Sequence, residues 1–283
     1  MTPLISPSDF RLQKISYFLF LILFVSLLRK LSVVQHIKKP TEHINMITTR
    51  NLTKKFGDLI AVDNLNLSIE KGELFSLLGL NGAGKTTTIK MLSCLIQPTS
   101  GDAMILNKNL IKDAQFIKQR LNVSPQETAV APKLSVSENL KLIAGIYGID
   151  KNLIPQKVDE MISVFKLTDV QNKKAKLLSG GMQRRLNIAM ALITEPEILF
   201  LDEPTLGLDV IARRELWAII KKLKENTTII LTTHYLEEVE ALSDRVAIMQ
   251  KGKIKAIGTV EELLKQTSSK SLEDAFVLLN EEV

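Results

Sequence analysis

The residues with the clearest chemistry in this sequence form the loop 79–86, Gly-Leu-Asn-Gly-Ala-Gly-Lys-Thr. It fits the pattern G-x-x-x-x-G-K-[ST], in which glycines let successive backbone N–H groups face phosphate oxygens. We expect Lys85 to reach the β- and γ-phosphates of a nucleotide and the Thr86 hydroxyl to ligate Mg²⁺. The residues predicted to contact the nucleotide here are Gly79, Asn81, Gly82, Ala83, Gly84, Lys85, Thr86 and Thr87.

Two carboxylates, Asp202 and Glu203, directly follow the apolar run 198–201. Such a run predicts a buried strand, and the active sites of parallel sheets lie at the carboxyl ends of strands. Asp202 is placed to hold the Mg²⁺ shell, and Glu203 is the candidate general base that would polarise an attacking water. On its own, an Asp-Glu-Pro turn is more often a solvated loop. Its position after a phosphate-binding loop favours a role for the two carboxylates in hydrolysis.

A third motif, Leu-Ser-Gly-Gly-Met-Gln at 178–183, predicts a second site for an anion. Ser179 is expected to cap a helix, and Gly180 and Gly181 would leave N–H groups free at its first turn. On its own, the motif would simply be a well-capped helix.

The elements that position these motifs alternate between strand and helix. Leu74–Leu78 is a short continuous apolar run, typical of a strand buried on both faces, and a helix should begin near 84–86 and stop before Pro98. Apolar runs return at 198–201 and 228–231, each followed by a helical pattern. Alternating β and α units predict a mainly parallel sheet in an α/β fold.

Residues 128–177 change character, and we interpret them as a helical insert. Ser135-x-x-Glu138 is a capping box that opens a helix through Tyr147. A second apolar stripe at helical spacing follows, and no strand pattern interrupts the two; the stripes consist of Leu140, Ile143, Ala144 and Tyr147, then Val158, Met161, Ile162 and Phe165.

Composition excludes several classes of protein. Apolar residues make up 45% of the chain, enough for a core, and the single cysteine, Cys94, excludes an internal disulfide. The net charge is +6, of which residues 1–45 carry +4 and residues 46–283 only +2. The net positive charge is therefore poor evidence that the protein binds nucleic acid, and we expect no nucleic-acid partner.

The segment 1–45 contains an uncharged apolar run at 15–28 between basic flanks. Its helical length of about 21 Å falls short of the roughly 30 Å hydrocarbon core. One interpretation makes this segment an arm that touches the membrane. The other places the true start at Met46 and treats the upstream stretch as a start-site artefact.

With these motifs in place, residues 46–283 resemble the nucleotide-binding subunits of ABC transporters, and 178–183 resembles that family's signature motif. The resemblance implies a P-loop NTPase fold with a mainly parallel sheet, an N-terminal antiparallel β portion and the helical insert. It also implies that two copies, or this chain and a homologous ATPase subunit, pair head to tail. Each ATP would then lie between one phosphate-binding loop and Ser179, Gly180 and Gly181 of the other subunit.

Further positions match the family's motifs one at a time. Gln126 corresponds to the Q-loop residue that contacts Mg²⁺ and water, and Asp209 to the D-loop that lines the paired subunit's site. His234 matches the switch histidine near the γ-phosphate. Phe56 matches the aromatic residue that stacks on adenine. Many members have Tyr at this position, but Phe keeps the π-face. Stacking distinguishes poorly between bases, so some use of GTP is also expected.

The ending 271–276 resembles the export-type branch, which includes drug, polysaccharide and haem-related exporters. The resemblance implies an ATPase that drives a separate integral membrane permease from the cytoplasmic face of the cell membrane. Two alternatives compete: a soluble ABC ATPase acting on ribosomes or DNA, and a non-catalytic regulatory cassette. The first usually has two cassettes or a long coiled coil, and the second would have lost Lys85, Glu203 or His234, all of which are present.

Overall fold

The computed structural model of the protein describes residues 45–281. The expected N-terminal extension therefore lies outside the described residues, apart from Asn45 at its end. Across the described range, no helix combines the length and apolar character that crossing a membrane would require.

The described chain begins with a four-stranded antiparallel sheet. Its strands are β1 (Asn45–Phe56), β2 (Leu59–Glu70), β4 (Ser100–Ile105) and β5 (Lys108–Asn109), in the order β2-β1-β4-β5. The alternating Leu65, Leu67 and Ile69 of β2 are all buried, because alternate side chains of a strand point to the same face. The expected antiparallel portion is confirmed.

A second sheet has six strands and is mainly parallel, as predicted. Its strands are β3 (Leu74–Leu78), β6 (Leu121–Ser124), β7 (Ile198–Asp202), β8 (Thr228–Thr233), β9 (Arg245–Gln250) and β10 (Lys253–Gly258). Their order is β10-β9-β3-β8-β7-β6, and only the β9–β10 pair is antiparallel. Every residue of β3, β7 and β8 is buried, which explains their continuous apolar runs.

Nine α-helices accompany the sheets within residues 45–281. They are α1 (Lys85–Leu92), α2 (Ala114–Lys118), α3 (Val136–Ile146), α4 (Ile154–Val164), α5 (Gly180–Leu192), α6 (Val210–Leu223), α7 (Leu236–Leu242), α8 (Val260–Thr267) and α9 (Leu272–Asn280). The helix predicted after the phosphate-binding loop is α1, which ends six residues before Pro98 because Cys94 is left-handed, with φ 58°.

Residues 128–177 contain α3, α4 and two short 3₁₀ turns, Thr168–Val170 and Ala175–Leu177. The buried faces of α3 and α4 join one apolar cluster with α5 and the face of the parallel sheet. The predicted stripe of α4 is fully buried as expected. The α3 stripe was wrong at Tyr147, which is 51% exposed because α3 ends at Ile146 and Tyr147 follows as its C-cap.

The capping box of α3 offers a stability test. Ser135 Oγ accepts a hydrogen bond from the Glu138 backbone N–H at 3.2 Å, and Glu138 Oε2 accepts from the Ser135 backbone N–H at 2.7 Å. We predict that Ser135→Ala lowers the free energy of unfolding by about 1 kcal/mol in urea denaturation, because the N-terminal N–H group loses its acceptor. Ser137→Ala, in the first turn of the same helix, is the control; equal losses in the two variants would contradict the capping role.

Candidate nucleotide-binding site

The carboxyl ends of four neighbouring parallel strands border one cleft. In the order β3-β8-β7-β6, these strands lead into the phosphate-binding loop, His234, Glu203 and Gln126. The cleft has a volume of about 760 Å³. Eleven residues predicted from the sequence line it, and they are Phe56, Asn81, Gly82, Ala83, Gly84, Lys85, Thr86, Thr87, Gln126, Glu203 and His234.

The phosphate-binding loop is shaped by its glycines and held by Lys85. Gly84 has φ 103°, and a Cβ there would lie 2.5 Å from the Ala61 carbonyl oxygen, so a side chain does not fit. Lys85 is buried, and its Nζ donates to the Gly79 carbonyl at 2.7 Å and to the Leu80 carbonyl at 3.2 Å. Gly79 thus lies behind the cleft as the anchor of the lysine.

Lys85 and Glu203 face each other across the cleft, with 3.6 Å between Nζ and Oε1. Burial lowers the pKa of Lys85, and the negative charges of Glu203 and Asp202 oppose that shift. The ammonium therefore lies in a poorly solvated position where an anion would be strongly attracted.

Oxygen atoms suited to Mg²⁺ converge beside the lysine. Thr86 Oγ1 donates to Asp202 Oδ1 at 3.2 Å, and Thr232 Oγ1 donates to the same oxygen at 2.5 Å. Asp202 is buried just behind the cleft, whereas Gln126 is exposed on its wall. Hydroxyl, carboxylate and amide oxygens are the ligands that a hard cation such as Mg²⁺ prefers, so this donor set fits the ion.

The backbone aims Glu203 into the cleft. Glu203 has φ 45°, an uncommon value for a residue with a side chain, and its N–H is held 3.1 Å from both the carbonyl and the hydroxyl oxygen of Thr232. Its Oε1 lies 3.3 Å from Nδ1 of His234. Strained backbone of this kind is concentrated at functional sites, and here it places a carboxylate against the histidine.

Phe56 lies at the outer end of the cleft, with half of its side chain exposed. Lys54 Nζ is 5.0 Å from the ring centroid, and Leu59 and Ile60 also line the cleft with exposed side chains. These two aliphatic residues were not predicted from the sequence. Together with Phe56 they form an apolar surface on which a flat aromatic base could lie.

The remaining predicted residues, Ser179, Gly180, Gly181 and Asp209, lie outside the cleft and form what we call the signature surface. Ser179 caps α5 through a 3.3 Å bond from the Met182 N–H, and Asp209 caps α6 through a 2.9 Å bond from the Ala212 N–H. A Cβ at Gly181 would lie 3.2 Å from Cβ of Ala212, so the starts of the two helices are packed closely.

A buried arginine, missed by the sequence analysis, connects α5 to the cleft. Arg184 Nε donates to the Pro204 carbonyl at 2.8 Å and Nη2 to the Asp202 carbonyl at 2.7 Å, while Nη1 donates to the carbonyls of Pro125 and Gln126 at 2.6 and 3.1 Å. Burial lowers the pKa of Arg184 to about 10, so it stays charged at neutral pH. Arg184 is one of several polar residues of α5, beside Gln183, Arg185 and Asn187, so the sequence offered no distinct signal of its burial.

Removal of this guanidinium should weaken the whole domain. We predict that Arg184→Met lowers the free energy of unfolding by at least about 3 kcal/mol, because several buried carbonyl oxygens lose their donors. Urea denaturation measures the loss, and Arg214→Met, at an exposed position of α6, provides the control. A similar stability for the two variants would show that the four contacts of Arg184 are energetically unimportant.

Comparisons with known proteins agree with the geometry. Residues 62–206 match a family model described as ABC transporter. The chain is 37% identical over 255 residues to the probable multidrug ABC transporter ATP-binding protein YbhF of Escherichia coli (strain K12), covering 88% of this chain but 44% of that protein. It is also 37% identical to the daunorubicin/doxorubicin resistance ATP-binding protein DrrA of Streptomyces peucetius, over 82% of this chain and 71% of that protein.

Solved structures show the same fold. An ATP binding subunit of an ABC transporter superposes with a TM-score of 0.75 at 27% identity, over 83% of this chain and 100% of the other. A dimeric ATP-binding cassette in a post-hydrolysis state, bound to ADP and Pi, superposes with a TM-score of 0.68 at 28% identity, over 76% of this chain and 98% of the other.

Proposed function

The chain belongs to the ABC transporter family, and from that premise we propose that it binds and hydrolyses ATP as a head-to-tail dimer to drive transport. The observation that carries the proposal is the cleft itself, where a phosphate-binding loop, Glu203 and His234 meet. Residues 46–283 would form the ATPase domain, with 128–177 as its helical insert.

Hydrolysis requires a water to attack the γ-phosphate while a base accepts its proton. Glu203 is the candidate base, since its carboxylate faces the cleft and His234 lies within hydrogen-bonding distance of Oε1 to orient it. Lys85 would stabilise the charge on the β- and γ-phosphates. Mg²⁺, held by Thr86, Asp202 and Gln126, would neutralise further phosphate charge when bound.

The base of the nucleotide would stack on Phe56, with Leu59 and Ile60 alongside. Stacking depends on the π-face and little on the hydrogen-bonding edge of the base. Because no polar side chain is required for this contact, some use of GTP is consistent with the proposal.

The signature surface supports the proposal that a second subunit pairs with this one. Ser179 and Gly180 are exposed at the start of α5, where free N–H groups and the helix dipole favour an anion, yet these residues do not line their own cleft. The phosphate-binding loop and the signature surface both carry exposed apolar side chains. These are Leu80 in the loop and Leu206, Val210 and Ile211 near Asp209. Apolar groups of this kind would be buried if the loop of one copy met the signature surface of another. A homologous ATPase subunit could replace the second copy.

The relatives support a proposal for the direction and the partner of transport. Proteins named for multidrug transport, drug resistance and Nod factor export are 37% to 39% identical to this chain. We propose export through a separate integral membrane permease, with this chain at the cytoplasmic face of the membrane and no nucleic acid involved. The hinge that transmits motion would be Gln126, whose carbonyl is bound by Arg184.

Glu203→Gln tests the catalytic and dimeric parts of the proposal together. We predict that this variant binds Mg²⁺-ATP, hydrolyses it at least about a hundredfold more slowly and accumulates as a dimer, because it keeps the shape of the site but not the base. Gel filtration with ATP and phosphate release measure the two effects. Lys85→Ala is the control that should neither bind ATP nor dimerise; normal hydrolysis by monomeric Glu203→Gln would remove Glu203 from the role of base.

Affinity purification from detergent-solubilised membranes tests the permease. We expect the tagged full-length protein to retain a polytopic membrane protein, and Mg²⁺-ATPase activity to co-elute with it. Recovery of ribosomes or DNA instead, without a membrane protein, would favour the alternative class of soluble ABC ATPases.

A further inference from the structure

One buried carboxylate, outside the predicted site, joins three of its segments. Glu238 of α7 is 0% exposed, and its Oε1 accepts hydrogen bonds from Thr205 Oγ1 at 2.9 Å and Trp217 Nε1 at 3.1 Å. Thr205 lies two residues after Glu203, and Trp217 lies on α6, the helix capped by Asp209. Glu238 itself lies four residues after His234, so the carboxylate joins all three segments.

A second contact holds the same two helices together around His234. The guanidinium carbon of Arg213, on α6, lies 4.6 Å from the Tyr235 ring centroid, and Nη1 lies 3.6 Å from Glu237 Oε2. The Tyr235 ring in turn lies 4.2 Å from the His234 ring, centroid to centroid. A displacement of α6 would therefore also displace the residues that follow His234, through Tyr235 and through Glu238.

Stability alone does not account for this arrangement. Burial raises the pKa of Glu238, and hydrogen bonding to its carboxylate together with the charge of Arg213 opposes the rise. Within residues 45–281, Glu238 Oε2 and Arg213 Nε are buried without a hydrogen-bond partner. Incompletely satisfied buried charges usually cost stability compared with an apolar replacement, which favours a functional role for this carboxylate.

We propose that Glu238 is a positioning residue that couples α6, and through it Asp209, to His234 and Glu203. The inference rests on the proposed function, in which Asp209 faces the site of the second subunit. Closure of the dimer would then move α6, and Glu238 would transmit that movement to the base and the histidine of the same subunit. Hydrolysis at one site thereby depends on occupation of the other.

Steady-state kinetics of Glu238→Ala tests the coupling. We expect kcat to fall by about tenfold to a hundredfold, while KM for ATP changes by less than about twofold and the Hill coefficient falls toward one. Glu240→Ala, an exposed glutamate of the same helix, should behave as the wild-type protein. Glu238→Gln should recover most of the kcat, because its amide oxygen can still accept from Thr205 and Trp217.

Trp217 provides a direct readout, because it is the only tryptophan in the chain and its indole N–H contacts Glu238. In the Glu203→Gln background, addition of Mg²⁺-ATP should change its emission as the dimer forms. With Glu238→Ala added, ATP should still bind, as measured by a labelled nucleotide, and the emission should still change, because dimer closure moves α6 before the movement reaches Glu238. Loss of both the emission change and kcat in this variant would show that Glu238 is needed for closure itself and would overturn the coupling role.

Two further variants keep the inference testable if Glu238→Ala does not fold. Thr205→Val and Trp217→Phe each remove one donor to Oε1, and each should lower kcat and the Hill coefficient without raising KM. Wild-type kcat and cooperativity in these variants and in any folded Glu238 variant would overturn the coupling role alone. A wild-type protein that does not hydrolyse ATP would instead overturn the proposed function, and this inference with it.

Discussion

Parallel pairing of β3, β8, β7 and β6 brings four carboxyl ends to one edge, and the whole site depends on that register. Leu78 pairs with Thr233, and Asp202 pairs with Thr232, so the loop, the histidine and the acidic pair begin at nearly the same level. A slip of one residue would turn the side chains of a strand to the opposite face. The apolar cores on both faces fix the register, so the same burial that stabilises the sheet also sets the distances in the cleft.

Local motifs allowed much of the site to be predicted from the sequence. The phosphate-binding loop, the acidic pair and His234 are each contiguous with a buried strand, and a parallel sheet must bring such strand ends together. The capping box of α3 and the buried stripe of α4 were equally local signals. The prediction that Tyr147 belongs to the buried stripe of α3 failed, because helical spacing alone does not reveal where the last turn ends or what covers it.

The residues that the sequence did not reveal act through contacts distant in the chain. Arg184 binds main-chain carbonyls. Every residue type has such a carbonyl, so the sequence does not show which of them are bound. Glu238 has one partner on α6 and one in the turn after β7, and in the sequence it is one of several acidic residues on a short helix. Tertiary hydrogen bonds of this kind become visible only when the elements are packed. The role that we propose for the signature surface likewise requires a second subunit.

Arg184 and Glu238 both bind the turn at 202–205. Arg184 binds the carbonyls of Asp202 and Pro204, and Glu238 binds the hydroxyl of Thr205, so two buried charged side chains hold the turn that contains the left-handed Glu203. The negative charge of Glu238 also favours the charged form of Arg184. Because the sheet behind this turn is apolar and closely packed, it offers little freedom of movement. Motion of α5 or α6 can therefore reach Glu203 through these two side chains and the turn between them, which is where, in our proposal, binding by a second subunit would be converted into alignment of the base.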